Sequence, residues 1–292
     1  MARRLMTMLV GAALAVVPAN RGFADEQAGP SQVGKGVNFY SVEKELALGR
    51  QLAADVERQT TIVHDPVIEA YVNRIGAKLA RDSDARMAVT IRVIESRDVN
   101  AFALPGGFIF VNTGLILQAD SEAELAGVIA HSVGDVAALH ATRLATKGEI
   151  AQTSVMPLWV VGGWGGYSAF QAANVVIPAS LARCSRAFVA EADLLGLDYM
   201  FKAGYDPAAF VTMLEKVQAM EKEKTSAAAF STHPPTAERI AAAEYHISQS
   251  LKPKLEFVVD TVEFDAVKAR LAAMPAPAPP KNPPTLRRNT GD

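Results

Sequence analysis

Cysteine is almost absent from this chain: Cys184 is the only one among 292 residues. A single cysteine excludes an internal disulfide, so the hydrophobic core must supply the stability, and a chain of this length can bury a large enough core. Cys184 itself is expected to be a small buried residue. A large excess of one charge is also missing, because 29 basic and 31 acidic residues leave a formal net charge of -2. No strong field attracts nucleic acid, and no nucleic-acid partner is expected.

A long uninterrupted apolar run is missing near the N-terminus. Arg3 and Arg4 precede an apolar run over residues 5–17, which is too short to span a bilayer comfortably. The small residues of Gly22-Phe23-Ala24 fit a cleavage site. The pattern predicts a signal peptide over residues 1–24, cleaved near Ala24, and a periplasmic or secreted mature protein. An uncleaved membrane anchor is the alternative.

Charged residues and histidine are absent from residues 150–182. That stretch is long enough to cross a membrane, but Pro157, Pro178 and the glycine cluster at 162–166 interrupt it. We predict a hairpin that packs on the domain or dips into a membrane surface. Peripheral membrane contact through residues 150–182 is therefore one expectation.

The rest of the chain is mostly amphipathic helix with a short extended region. Helical spacing of apolar residues predicts helices that include residues 66–81, 121–147, 183–202 and 207–224. Alternation at residues 89–94 and the apolar run at 108–111 predict strands on either side of a turn. The expected organisation is a flexible lead-in at 25–39, one domain at 40–272 and a proline-rich disordered tail at 273–292. The expected fold class is α+β and predominantly helical, with a small β-sheet.

One pair of polar residues sits in the helix predicted at 121–147. His131 and Asp135 are four residues apart, so both side chains project from one helix face. A zinc peptidase places two histidines at this spacing and a glutamate directly after the first, which takes a proton from the metal-bound water. Here Ser132 occupies the glutamate position and Asp135 the position of the second histidine. The spacing alone is typical of a packed core histidine.

Four separated stretches change that interpretation. They are residues 100–112 (NAFALPGGFIFVN), 121–143 (SEAELAGVIAH through LHATR), 191–207 (EADLLGLDYM through GYDP) and 231–239 (STHPPTAER). In this order they resemble the extended segment, metal-binding helix, third-ligand helix and late His-Pro turn of peptidase family M48, which includes the HtpX, BepA and Oma peptidases. The resemblance covers about residues 40–250 and implies a zincin-like metallopeptidase domain with the helix around His131 at its centre.

The same resemblance shows where the zinc site is altered. His131 is the only matching metal ligand, because Asp135 and Val189 occupy the other two ligand positions. Glu191 lies two residues after Val189, about 200° around the helix, and is expected to point elsewhere. Asp193 matches the family residue that supports the site. Because Ser132 occupies the base position, no intact catalytic residue is expected. No bound cofactor is expected either; if the site were retained after all, the cofactor would be zinc.

The other histidines and the extended segment complete the candidate residues. His140 is expected to be a surface residue near a helix end, and His64 and His246 have no supporting neighbours. His233 matches a turn histidine that approaches the metal in some relatives, so a regulatory role is possible beside turn formation. The resemblance also implies that an extended peptide binds along Asn100, Ala101, Phe102, Ala103, Leu104, Pro105, Gly106 and Gly107.

These observations favour an exported metallopeptidase-family protein that no longer cuts peptide bonds. It would bind a polypeptide or protein partner, with a role in envelope quality control. One alternative is an active zinc metalloendopeptidase with substitute ligands such as Asp135, Glu191 or His233. A second alternative is a structural, membrane-associated protein docked through residues 150–182.

Overall fold

The computed structural model describes residues 33–161, 163–223, 234–252 and 254–274. The predicted signal peptide, the first part of the lead-in, His233 and nearly all of the predicted tail lie outside the described residues. Residues 33–39 of the lead-in are described, and they contact the domain. The Asn38 side-chain amide donates to the Thr142 hydroxyl at 3.0 Å, and the Phe39 N–H donates to the Thr146 hydroxyl at 3.0 Å.

Two capped helices open the domain. Helix α1 spans Val42–Gln59, and the Ser41 hydroxyl accepts the Lys44 N–H at its first turn. Helix α2 spans Pro66–Arg81, with the Asp65 carboxylate accepting two N–H groups of the first turn and proline at the first helical position. Side-chain caps of this kind satisfy N–H groups that have no partner inside the helix. The local sequence therefore fixes where both helices begin.

A three-stranded sheet follows, in the order β1-β3-β2. Strand β1 (Thr90–Ile94) pairs parallel with β3 (Phe108–Asn112), and β2 (Ala101–Leu104) pairs antiparallel with β3. The turn between β2 and β3 needs glycine, because Gly106 and Gly107 have φ values of 77° and 84°. A Cβ at Gly107 would lie 2.2 Å from the carbonyl oxygen of Ala88. This tight turn joins β3 to β2, which is an edge strand of the sheet.

The central helix is shorter than the sequence predicts. Helix α3 (Thr113–Gln118) leads to α4 (Glu122–Ala137), which is buried along most of its length and capped by Ser121. The predicted continuation to residue 147 is wrong, because the chain bends at Leu139, whose φ is 56°. Helix α5 then begins at His140 and spans His140–Val161. The bend brings His140 back toward the α4 face that carries His131.

The segment predicted as a hairpin is helical on both sides of residue 162. Helix α6 spans Gly163–Ala203 and packs against α4 and α5. Among the described residues, no helix combines the length and hydropathy needed to cross a membrane. Cys184 on α6 is half-buried rather than buried, and the Lys147 ammonium lies 2.9 Å from its sulfur.

Three further helices close the core. They are α7 (Ala208–Glu223), α8 (Thr236–Ser250) and α9 (Val262–Ala272). Helix α9 buries Phe264 and Val267 against the main core, which centres on α2, α4 and the adjoining face of the sheet. The predicted predominantly helical α+β class with a small sheet is confirmed.

Candidate functional site

His131 is held from behind by a buried ion pair. Its Nδ1 lies 2.7 Å from a carboxylate oxygen of Asp193 on α6, and this carboxylate also accepts two hydrogen bonds from Arg239 on α8, at 2.7 and 2.8 Å. Asp193 is only 3% exposed. Burial opposes its ionisation, but Arg239 and His131 outweigh that effect and hold the Asp193 pKa below its ordinary value. Asp193 therefore orients the His131 ring.

Ser132, which the family resemblance predicts at the position of the catalytic base, does not line the His131 side of the site. It is buried, and its hydroxyl donates to the Val128 carbonyl one turn back in α4, at 3.2 Å. A hydroxyl used inside its own helix is not positioned to activate water. This geometry supports neither base catalysis nor nucleophilic attack by Ser132.

His140 lies at the centre of a second polar network, and the expectation that it is a surface residue is wrong. It is 5% exposed, and its ring stacks on Phe188 at 4.4 Å. Its Nδ1 lies 2.7 Å from Asp135, and its Nε2 lies 3.0 Å from Glu191. Burial lowers the His140 pKa, but the hydrogen bonds with both carboxylates raise it above its ordinary value. The hydrogen bond with His140 in turn lowers the Glu191 pKa.

Glu191 is therefore connected to the site despite its position on the helix. Its carboxylate reaches His140 and lies 3.6 Å from the Arg143 guanidinium. The sequence predicts that Glu191 points away from the ligand positions, and Glu191 does not line the cavity beside His131. The sequence did not predict that Glu191 is connected to Asp135 through His140. Sequence reasoning missed the link because His140 and Glu191 are 51 residues apart.

A cavity of about 250 Å³, here called the His131 cavity, brings most of the predicted residues together. Helices α4 and α6 contribute His131, Asp135 and Val189 to one side, and residues 101–105 form the other. The remaining wall combines apolar side chains with polar ones: Val136, Leu139, Ala141, Leu144 and Phe188, together with Glu45, His140 and Ser185. Of the predicted peptide-binding segment, Asn100, Gly106 and Gly107 do not line the cavity.

The side chains around His131 do not fit a zinc ion. A catalytic zinc usually takes three protein ligands. His131 offers Nε2, but one Asp135 oxygen is bonded to His140, and Val189 has no donor atom. Within the part of the chain that the structure describes, no group of three His, Cys, Asp or Glu side chains is placed to hold a metal ion. Hydrogen bonds between side chains connect α4, α5 and α6 here, through His131 with Asp193 and through His140 with Glu191.

The remaining histidines lie away from the cavity. His246 Nε2 lies 2.8 Å from Asp198, which gives it a partner that sequence reasoning did not find. His64 is exposed in the loop before α2. His233, the candidate regulatory residue, cannot be placed because it lies outside the described residues.

The outer edge of β1 is covered by other parts of the domain. The Asn73 side-chain amide bonds both the N–H and the carbonyl of Ile91, at 2.8 and 2.9 Å. Further along, the Val63 N–H donates to the Val93 carbonyl at 2.9 Å, and the Glu95 N–H donates to the Thr61 carbonyl at 2.8 Å. The outward groups of β1 therefore have partners, and this edge is closed to another strand.

The outer edge of β2 is open. The Asn112 N–H donates to the Asn100 carbonyl, so the antiparallel pairing places Phe102 and Leu104 at the hydrogen-bonded positions facing β3. The N–H and carbonyl groups of Ala101 and Ala103 then point away from the sheet. Among the described residues, no hydrogen bond joins β2 to any element except β3. This edge adjoins the His131 cavity.

Comparison of the sequence with known proteins identifies relatives among metallopeptidases. A family model described as peptidase family M48 matches residues 66–247. The chain is 27% identical to the beta-barrel assembly-enhancing protease of Escherichia coli K12 over 248 residues, covering 80% of this chain and 49% of that protein. It is 32% identical over 186 residues to the mitochondrial metalloendopeptidase OMA1 of Schizosaccharomyces pombe, covering 60% of this chain and 51% of that protein.

The metalloprotease LoiP of Escherichia coli K12 is 29% identical over 197 residues, covering 66% of this chain and 76% of that protein. The chain spans about half the length of the beta-barrel assembly-enhancing proteases it matches. The family match covers more than half of the chain and includes α2, the sheet, the helix bearing His131 and the helix bearing Asp193. The chain belongs to peptidase family M48.

Proposed function

We propose that this protein is an exported peptidase-family domain that binds extended polypeptide segments without hydrolysing them. The observation that carries the proposal is the open edge of β2 beside a cavity whose ligand positions are held by Asp135 and Val189. The first feature supplies a means of binding a peptide. The second removes the means of cutting it.

The loss of hydrolysis follows from the donor set. Two of the three ligand positions lack the family's side chain, and the serine at the base position is bonded inside its own helix. General base catalysis alone contributes a factor of about 10²–10⁴ in rate. Without a held zinc there is also no ion to polarise the scissile carbonyl or to activate water. Losing these contributions together leaves no route to family chemistry.

Peptide binding needs neither the metal nor the base. An extended chain that adds to a sheet edge gains affinity from main-chain hydrogen bonds. Ala101 and Ala103 each offer an N–H and a carbonyl on the outer side of β2. Their small side chains leave the edge accessible. Strand addition at β2 is therefore the binding mode that we assign to this protein.

The relatives suggest where such a domain works. The Escherichia coli relative is named for enhancing beta-barrel assembly, and another is a mitochondrial metalloendopeptidase. We propose a periplasmic location after cleavage near Ala24, and a role in envelope protein quality control with a polypeptide partner. Extended segments that have not yet paired in a sheet are suitable ligands for an open strand edge.

Metal content tests the loss of catalysis. We expect the purified mature chain, loaded with zinc and desalted, to retain less than about a tenth of an equivalent, as does a His131→Ala control. About one zinc per chain, lost in the control, would favour the alternative of an active metalloendopeptidase with substitute ligands. Cleavage of unfolded casein by the parent, absent from the control, would refute the proposal directly.

A proline at the strand edge tests peptide binding. Ala103→Pro removes an outward N–H but leaves the hydrogen bonds to β3, and edge strands tolerate proline. We expect this variant to lose at least about tenfold in affinity for an extended peptide by fluorescence anisotropy, whereas the matched control Ala103→Ser retains it. Equal affinities of the two variants would exclude binding at this edge.

A further inference from the structure

Helices α5 and α6 pack against each other in opposite directions. At the start of α5, the His140 Nε2 lies 3.0 Å from the Glu191 carboxylate. Two turns later, the Lys147 ammonium lies 2.9 Å from the Cys184 sulfur. Partners on α6 therefore come earlier in the sequence as α5 advances. The end of α5 and the beginning of α6 lie together at the end of the pair that is farther from His140.

That end of the pair is made from the part of the sequence that has no ionisable side chain. Residues 150–182 contain no Asp, Glu, Lys, Arg or His, and we call them the uncharged stretch. They cover the last turns of α5 and the first half of α6. A helix at a protein surface normally carries charged residues on the face that meets water. Two adjacent helices without charge are suited to a less aqueous environment.

The length and composition of the uncharged stretch favour shallow insertion into a bilayer. Helix α5 contributes residues 150–161, about 18 Å at 1.5 Å per residue, whereas the hydrocarbon core is about 30 Å thick. Serine, glutamine and asparagine are interspersed among the apolar residues. The two tryptophans of the chain, Trp159 and Trp164, both lie here, and tryptophan prefers the headgroup level of a membrane. These features fit an element that enters one leaflet.

Exposed apolar residues of the lead-in lie beside the start of the uncharged stretch. The Phe39 N–H donates to the Thr146 hydroxyl at 3.0 Å, and the Tyr40 hydroxyl donates to the Glu149 carboxylate at 2.8 Å. The lead-in therefore follows α5 up to its last charged residue. The side chains of Phe39 and Val37 are 52% and 64% exposed. Apolar surface from a second part of the chain thus adjoins the uncharged stretch.

Basic side chains border the uncharged stretch on both helices. Lys147 on α5 and Arg183 on α6 are exposed, and the contact of Lys147 with Cys184 places the two cations near the same level of the pair. The acidic residue at this level, Glu149, is bonded to the Tyr40 hydroxyl. Basic residues at the membrane surface are attracted to anionic lipid headgroups. The arrangement is complementary to a bilayer, with uncharged residues toward the acyl chains and cations toward the phosphates.

We propose that the uncharged stretch, together with the exposed apolar residues of the lead-in, docks this protein on the surface of an anionic lipid bilayer. Membrane docking is independent of strand addition at β2, since the two use different surfaces. It also sets the position of the His131 cavity, because Leu144 of α5 and Phe188 of α6 line that cavity. Leu144 lies about 26 Å along α5 from its last residue. A docked chain would hold the cavity close to the membrane.

Intrinsic fluorescence tests the proposal without a label, because both tryptophans lie in the uncharged stretch. The mature chain is mixed with vesicles of equal parts phosphatidylglycerol and phosphatidylethanolamine. We expect the chain to float with the vesicles, its tryptophan emission to shift to shorter wavelength, and lipids brominated on the acyl chain to quench that emission. Vesicles of phosphatidylcholine alone should bind at least about fivefold more weakly, because two basic side chains then lose their anionic partners.

A charge placed in the uncharged stretch tests which part of the chain inserts. Val161→Asp alters the last residue of α5 and keeps both tryptophans as reporters. It should weaken vesicle binding at least about tenfold, since a carboxylate is costly to move into a bilayer. The matched control Tyr245→Asp introduces the same charge on α8, at a position that is 68% exposed, and should retain binding.

Two further variants test the lead-in and the basic border. Phe39→Asp keeps the N–H group that bonds Thr146, and it should weaken vesicle binding about three- to tenfold because an exposed apolar side chain is lost. Lys147→Gln combined with Arg183→Gln should abolish the preference for phosphatidylglycerol and leave binding to phosphatidylcholine vesicles unchanged.

The outcomes separate membrane docking from other uses of this surface. Absence of flotation and of an emission shift would overturn the proposal. Equal vesicle binding by Val161→Asp and the parent chain would also overturn it, because another surface would then meet the lipid. Tryptophans shielded from acrylamide without vesicles, in a chain that sediments as a dimer, would show that a second copy covers the uncharged stretch. Peptide affinity and its loss in Ala103→Pro are measured without vesicles, so the proposed function stands or fails separately.

Discussion

Replacing Arg239 with methionine removes the guanidinium that forms two hydrogen bonds with Asp193, at 2.7 and 2.8 Å. The Asp193 carboxylate is 3% exposed and cannot be rehydrated without opening the packing of α4, α6 and α8. Removing one partner of a buried ion pair costs about 3–5 kcal/mol, because a buried charge is left uncompensated. His131 remains 2.7 Å from Asp193, so we expect the lower end, about 3 kcal/mol.

Thermal and urea unfolding of the purified chain measure this loss. A cost of about 3 kcal/mol lowers the melting temperature of a domain of this size by about 6–12 °C. Arg239→Lys is the matched control, because it keeps the charge but loses the two-pronged geometry, and its loss should be intermediate. In the double mutant with Asp193→Asn, the arginine substitution should cost much less than in the parent.

A loss below about 1 kcal/mol for Arg239→Met would refute the reasoning, because the ion pair would then be no more stabilising than a surface pair. Additive effects in the double mutant would lead to the same conclusion. Either result would mean that Asp193 is held by His131 alone. The orientation of the His131 ring would then not depend on α8.

Three further predictions concern the zinc site, a buried carboxylate and a turn. The triple variant Ser132→Glu, Asp135→His, Val189→Glu should recover about one zinc per chain by elemental analysis, and a folded triple variant without zinc would show that the ligand positions are misassigned. Burial raises the Glu45 pKa above its ordinary value of 4.5. The contribution of Glu45 to the stability of the folded chain is therefore greatest below pH 4.5 and is lost as the pH rises through the raised pKa. The stability advantage of Glu45→Gln, measured by urea unfolding, should therefore grow from pH 4.5 toward neutrality, and a constant difference would contradict this. Gly107→Ala should destabilise the chain by at least about 1–3 kcal/mol in the same assay, because φ is 84° and a carbonyl oxygen lies 2.2 Å from the new Cβ. Arg86→Ala at a neighbouring surface position is the control, and equal free energies of unfolding for the two variants would contradict the clash.

The sequence determined much of the fold because its signals are local. Ser41, Asp65 and Ser121 each stand directly before a helix and accept N–H groups of its first turn. Alternating apolar residues marked β1, and the adjacent glycines marked the turn before β3. The family resemblance assigned His131, Asp135 and Val189 to ligand positions, and all three line one cavity in the structure. These features depend on neighbours within a few residues or on motifs with fixed spacing.

Only the tertiary structure decided how the polar side chains near His131 are paired and which sheet edge is open. His140 meets Glu191 across 51 residues, and it reaches Asp135 because the backbone bends at Leu139. Asn73 closes the edge of β1 from the neighbouring helix. No spacing rule predicts these contacts, because a buried polar group takes whichever partner the packing brings within hydrogen-bonding distance.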